Sequence, residues 1–179
     1  MFEFQHLLGQ KPRGIALQTR LGTDIPNQLG MQLTTQHVQR DELLVKTHGA
    51  TWQRRRSACG EYNCTGHVWA SRRTGIFDSK AWETILVEDG YRKTEHPQAD
   101  DLAAYYDQDG QMLHVGRVVE LRPITPGASS IPWIVSKWAD FTGEYVHNAN
   151  HHPFNAPGLG FRVHIVYWTD RPEESLRVS

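Results

Sequence analysis

The spacing of hydrophobic and polar positions changes twice along the chain. Over residues 1–57 short apolar pieces (Gly14-Ile15-Ala16-Leu17 and Glu42-Leu43-Leu44-Val45) alternate with the breakers Gly9, Pro12, Gly22, Pro26 and Gly30. No period of two or of 3.6 is sustained there, so the stretch reads as an ordered, loop-rich extension that packs on the rest. Arg54-Arg55-Arg56 reads as a solvated loop flank, because nothing around it extends the charge. From residue 58 the helical signals sharpen. Asn63 is a good N-cap, and Cys64 to Thr74 contains no proline and one glycine. Arg72 and Arg73 would meet the negative end of that helix, and Gly75, followed by Ile76 and Phe77, would stop it. Trp82, Ile85 and Leu86 fall on one face of a second helix over Ser79 to Asp89, with Gly90 beyond it.

After Pro97 the period shortens. Leu102-Ala103-Ala104-Tyr105-Tyr106 and Met112 to Leu121 read as two strands, joined by the hairpin turn Asp107-Gln108-Asp109-Gly110. Trp133-Ile134-Val135, Glu144-Tyr145-Val146-His147 and Phe161 to Trp168 read as three more. Loops with Pro123, Pro126, Gly127, Pro153, Pro157 and Gly158 separate them. Helices first and an antiparallel sheet afterwards spell an α+β fold, with residues 58–179 as the core domain and 1–57 as its extension.

Composition narrows the function. The 179 residues carry 19 Lys plus Arg against 20 Asp plus Glu, a net charge of −1, which leaves no domain-wide basic footprint for nucleic acid. No apolar run approaches the length of a membrane span. Met1 to Gly9 lacks a cationic segment followed by a long apolar one, so the expected location is the cytoplasm, or outside it by export without a cleaved signal. Two cysteines exclude a disulfide framework and an all-cysteine zinc site.

A thiol attacks only as thiolate, and a helix N-terminus or an adjacent imidazolium favours that form. Cys64 would open the first predicted helix. His114, in Leu113-His114-Val115-Gly116-Arg117-Val118, lies on the strand after the hairpin, where Gly116 would permit close approach of helix and substrate. Cys59 lies in an Ala-Cys-Gly loop off any helix start and is the lesser candidate. His147-Asn148-Ala149-Asn150-His151-His152, with His164, invites a zinc reading, but neighbouring histidines point apart, and we expect a surface loop and no metal. Trp133, Trp138, Tyr145, Tyr167 and Trp168 read as core and cleft wall, not as a base-stacking platform.

Asn63-Cys64-Thr65-Gly66-His67-Val68 resembles the Asp-Cys-Ser-Gly-Leu-Val helix start of the NlpC-type papain-like cysteine peptidases. Leu102 to Tyr106, preceded by Asp101 and followed by His114-Val115-Gly116, is similar to that family's Gly-Asp-Leu-Val-Phe-Phe and His-Val-Gly-Ile-Tyr strands. The order and the fifty-residue gap agree, and the likeness covers residues 58–122. Asn63 replaces the family's Asp and His67 an apolar residue. The resemblance implies a papain-like core whose nucleophile-bearing helix packs on an antiparallel sheet. It implies Cys64 as nucleophile, His114 as base and then acid, and a polar residue that orients the imidazole. His147 is the first choice for that last role, with Glu144 and Ser136 as alternatives. Tyr62 and Asn63 would line the cleft beside the oxyanion. The implied activity is a cofactor-free hydrolase cleaving a peptide or amide bond, with cell-wall peptides as the family's usual substrates. The same pair could transfer an acyl group or deamidate a protein glutamine, and a non-catalytic binding module is the remaining class.

Overall fold

Thr34, Asn63 and Asp78 each turn a side-chain oxygen back onto a main-chain N–H and so open the three α-helices among the described residues. They cap α1 (Thr35–His48), α2 (Cys64–Trp69) and α3 (Ser79–Glu88). The strands are β1 (Gln53–Arg56), β2 (Arg92–Thr94), β3 (Leu102–Tyr106), β4 (Met112–Pro123), β5 (Ser130–Ser136), β6 (Glu144–Asn148) and β7 (His164–Thr169). The structure is a computed structural model that describes residues 14–123, 125, 129–155 and 162–172. All seven strands form one antiparallel sheet in the order β1-β6-β5-β4-β3-β7-β2. The molecule is therefore α+β. Gly9, Pro12, Pro126, Gly127, Pro157, Gly158 and the expected strand start at Phe161 lie outside the described residues. No helix among the described residues is long and apolar enough to cross a membrane.

The central strand shows why the sheet holds together. Leu102, Ala103, Ala104 and Tyr105 are all buried, because β3 is covered on both faces. Leu102, Ala104 and Val115 pack with Val68 of α2 and Leu86 of α3 on one face. Ala103, Tyr105, Val118 and Ile134 pack with Trp138 and Phe154 on the other. The Asp107–Gly110 turn closes the β3–β4 hairpin with Gly110 at φ +79°, as the Asp-Gly signature predicts. Asp101, just before β3, is fixed by Arg171 through bonds of 3.1 and 2.8 Å, which ties the end of β7 to the start of β3.

Three local expectations fail, each for a physical reason. The loop-rich N-terminal extension holds two regular elements that its residues did not reveal: α1 runs fourteen residues, and β1 pairs with β6 at the sheet edge. Helix α1 escapes periodicity because its one buried residue is a charge. Asp41 accepts the Gly143 N–H at 2.9 Å and the Tyr145 hydroxyl at 2.7 Å. Arg54 to Arg56 are exposed, as expected, but they form strand β1 and not a loop flank. The third miss is the end of α2, which stops at Trp69 instead of continuing to Thr74. Ser71 and Arg72 take left-handed φ values of 49° and 66°, and the N–H groups of Ala70 and Arg72 both reach Gly66 O. This reversal lays Thr74 O across Gly66, where an added Cβ would sit 1.8 Å away. Gly75 is therefore no helix stop; it bridges to Gln28 of the extension.

Candidate active site

Asn63 holds the start of α2 through every polar atom of its amide. Its Oδ1 accepts from Gly66 N at 2.9 Å, from the Thr65 hydroxyl at 2.7 Å and from Ile76 N at 3.1 Å, and its Nδ2 donates to Ile76 O at 2.8 Å. Asn63 is thus a buried clamp and not a cleft wall, a correction to its expected role. The clamp fixes Cys64, which is partly exposed. Burial pushes the Cys64 thiol up to about 11, and the Asp140 carboxylate adds to the rise. The N–H groups of Val115, Thr65 and Cys64 itself work in the opposite direction and favour the thiolate. The resting group is a protonated thiol beside β4, with a short helix that lowers its pKa too little to ionise it.

His114 precedes Val115, and the pleat turns it to the other side of the strand. Val115 packs toward α2, whereas the His114 ring stacks on Trp138 at 4.1 Å and lies 5.5 Å from Tyr105. Only 2 % of His114 is exposed, and its Nε2 has no partner among the described residues. Burial holds its pKa well below the usual imidazole range, and His147, His67 and His152 reinforce this. The structure thus puts the imidazole on the face of β4 away from α2 and its thiol, and no hydrogen bond joins them, a correction to the expected pairing. Gly116 serves a different neighbour from the one expected: an added Cβ would strike Ile134, Ser136 and Val135 of β5, so the glycine admits a strand and not a helix.

His147 comes close to His114. Its ring lies 4.9 Å from Trp138, its Nδ1 meets Asn148 O at 2.8 Å, and its Nε2 is buried without a partner among the described residues. Ser136, wholly buried beside Gly116, likewise leaves its hydroxyl unpaired. His152 packs edge-on against Tyr105 at 5.0 Å. Burial lowers both His147 and His152 to about 4, so these rings are neutral at ordinary pH. Among the described residues no group of three or more His, Cys, Asp or Glu is arranged to hold a metal.

Glu144 and Tyr62 belong elsewhere. The Tyr62 hydroxyl donates to Glu144 at 2.6 Å, and Arg72 donates to both Glu144 oxygens at 2.5 and 3.1 Å. Burial raises Glu144, but the Arg72 and Tyr62 bonds outweigh it and leave the carboxyl below its ordinary range. Neither residue faces His114, so Glu144 is no imidazole-orienting group and Tyr62 no oxyanion donor in this arrangement. Both are corrections to their candidate roles.

Sequence reasoning missed Lys137, and it named Trp138 as core and cleft wall without placing it against His114. The β4–β5 register pairs Arg117 with Val135, and continuing it sets Trp138 opposite His114. That signal was present in the sequence but needed the length of the β4–β5 connection to be read. Lys137, fully buried, donates to Cys59 O at 2.8 Å and lies 3.6 Å from Cys59 Sγ, which closes the 59–62 loop onto the sheet.

The chain matches no family model, no curated protein and no solved structure.

Proposed function

We propose that this chain is a thiol hydrolase of the papain-like kind, cleaving a peptide or amide bond through an acyl-enzyme on Cys64. The supporting observation is the placement of Cys64, a half-buried residue, at the first position of α2. Main-chain N–H groups of Val115, Thr65 and Cys64 favour its anion, and His114 is the next residue along the same strand. In this reading the sulfur attacks a substrate carbonyl carbon as its proton passes to neutral His114, whose ring must first turn from the Trp138 side of β4 to the α2 side. The resulting oxyanion is stabilised by main-chain N–H donors. Collapse expels the amine, which takes the proton from the imidazolium. Water, deprotonated by His114, then hydrolyses the thioester.

A protonated thiol and a neutral base suit transfer of the proton within the substrate complex, without a preformed ion pair. Catalytic hydrogen bonds in substrate-free enzymes are commonly long and tighten when substrate binds. His147 and Ser136 bring polar atoms to the same side of the sheet as His114, and either could orient the ring. Peptides, including those derived from cell walls, are the substrate class that the family resemblance supports.

The test is turnover of peptide anilides by the full chain. Cys64→Ala is expected to lower kcat/KM by about 10³-fold or more, the scale of losing a nucleophile, while Cys59→Ala retains activity. Turnover unchanged in Cys64→Ala would remove the assignment. Acyl transfer is the second reading, favoured by the apolar Tyr105, Trp138 and Phe154 surroundings of His114, which restrict water. Faster product formation on adding hydroxylamine, with little hydrolysis in its absence, would select it.

A further inference from the structure

A cavity of about 490 Å³ opens at the C-terminal end of α2, away from Cys64, and its walls include Arg55, Arg72, Arg117 and His67. Asp100, on the rim, is the one acidic residue that lines it. The guanidinium groups are held in different ways. Arg72 is fixed by Glu144. Arg117 is anchored through Val68 O at 2.9 Å and Asp100 O at 3.2 Å. Arg55 is exposed and makes no ion pair among the described residues.

His67 shows what this cavity lacks. Its Nε2 lies 3.0 Å from Arg72 Nη2, and a guanidinium can only donate, so Nε2 is the acceptor and the ring proton sits on Nδ1. That Nδ1–H is buried and has no partner among the described residues, on a residue that is 4 % exposed. Burial lowers His67 to about 4; the Glu144 carboxylate opposes the fall, while Arg72, Arg117 and Arg55 add to it. The ring is therefore neutral, and the wall around it carries guanidinium groups in excess of carboxylates.

The backbone is bent around the same cavity. Ser71, Arg72 and Asp100 are the non-glycine residues with positive φ among the described residues, at 49°, 66° and 74°, and all of them line it. The register slips at Arg55 of β1 and at Val119 of β4 also fall on its walls. Such bulges re-aim side chains, and left-handed non-glycine residues concentrate where function requires them.

We infer that this cavity is a binding site for a small organic anion, whose carboxylate or phosphate group is held by Arg55 and Arg117, with the His67 ring behind them as reporter. Arg72 is neutralised by Glu144 and holds the His67 ring in place. The volume is in the range of small-molecule sites and exceeds what an isolated phosphate fills. The inference does not depend on the chemistry proposed for Cys64.

The test is a titration of the full chain, followed through the histidine ring resonances, at constant ionic strength set with chloride. His67 is assigned by loss of its signal in His67→Gln. Inorganic phosphate and citrate are the two probes, and the tighter of them identifies a phosphate or a carboxylate group. At least one is expected to shift the His67 signals saturably. Arg55→Glu should weaken that binding by about tenfold or more, since it exchanges a charge-assisted donor for a like charge. Lys80→Glu, on the exposed side of α3, should leave it within about twofold, as a rim charge away from the contact does. The inference is overturned if neither anion moves His67 beyond the chloride control. It is also overturned if Arg55→Glu leaves binding unchanged, or if Lys80→Glu weakens it equally.

Discussion

Two buried polar groups, on opposite faces of the sheet, are built on opposite terms. Around Glu144 the carboxylate is matched: Tyr62 and Arg72 donate to it and His67 Nε2 accepts from Arg72, which leaves His67 Nδ1 as the unpaired atom of this group among the described residues. Around Trp138 the partners are missing. His114 Nε2, His147 Nε2, His152 Nδ1 and Ser136 Oγ are all buried without a hydrogen bond among the described residues. A satisfied network of charges fixes structure and is costly to break, whereas buried polar atoms left without partners are uncommon and need a reason. The first group ties α2 and the turn after it to β6. The second lies behind the strand that carries His114 and has the capacity to hold a substrate group, a water or a proton.

The largest effect expected from this contrast follows breaking the matched group. Glu144→Leu strips the partner from Arg72 and Tyr62 and should destabilise the fold by about 3 kcal/mol. That is the lower end for a broken buried pair, because Arg72 is partly solvated. Urea unfolding of the variant against the wild type measures it. A loss below about 1 kcal/mol, the scale of an exposed ion pair, would show that the network is ornamental to stability.

Next comes acid. His67, His147 and His152 titrate at about 4 in the folded chain because burial disfavours their charged forms. In the unfolded chain a histidine titrates near about 6.5. Below that pH the unfolded state takes up protons that the folded state refuses. The stability these rings contribute is full above about pH 6.5 and lost as pH falls toward about 4, at up to about 1.4 kcal/mol per pH unit for each ring. Denaturation midpoints at successive pH values should fall steeply through that window. A flat profile would mean that the histidines are not neutral and buried.

The smallest effect distinguishes the two groups most finely. His147→Phe replaces an imidazole whose Nε2 is unpaired with an apolar ring against Trp138. At neutral pH it should change stability by about 1 kcal/mol or less in either direction, because the one bond lost, from Nδ1 to Asn148 O, is a single neutral hydrogen bond. It should also flatten the acid slope by the share of one ring. A loss of several kcal/mol would show that Nε2 has a partner, and the contrast between the two groups would disappear.

Much of the sheet was legible in the residues. The Asp107–Gly110 turn set the β3–β4 register, and Trp82, Ile85 and Leu86 marked α3, because tight turns and apolar stripes act locally. Helix α1 was illegible for the converse reason. Its anchor is Asp41, and its capping box uses His37 where Glu or Gln is usual. The end of α2 was misread because Thr74 folds back over Gly66, a tertiary contact that overrides the local stop at Gly75. At the candidate site, the sequence put Cys64 at a helix start and His114 on a strand that packs against that helix. It could not show that the pleat turns His114 toward Trp138, or that Tyr62 and Glu144 bind each other. Those outcomes depend on which side of β4 each loop covers.

Brief exposure of the full chain to an acyl thioester, followed by mass mapping of the modified residue, tests the proposed chemistry most directly. The expected result is acylation at Cys64 that slows by about 10²-fold or more in His114→Asn, the range of a lost general base, in a variant whose unfolding midpoint shows it to be folded. Acylation confined to Cys59, or a Cys64 rate unchanged in folded His114→Asn, would contradict it.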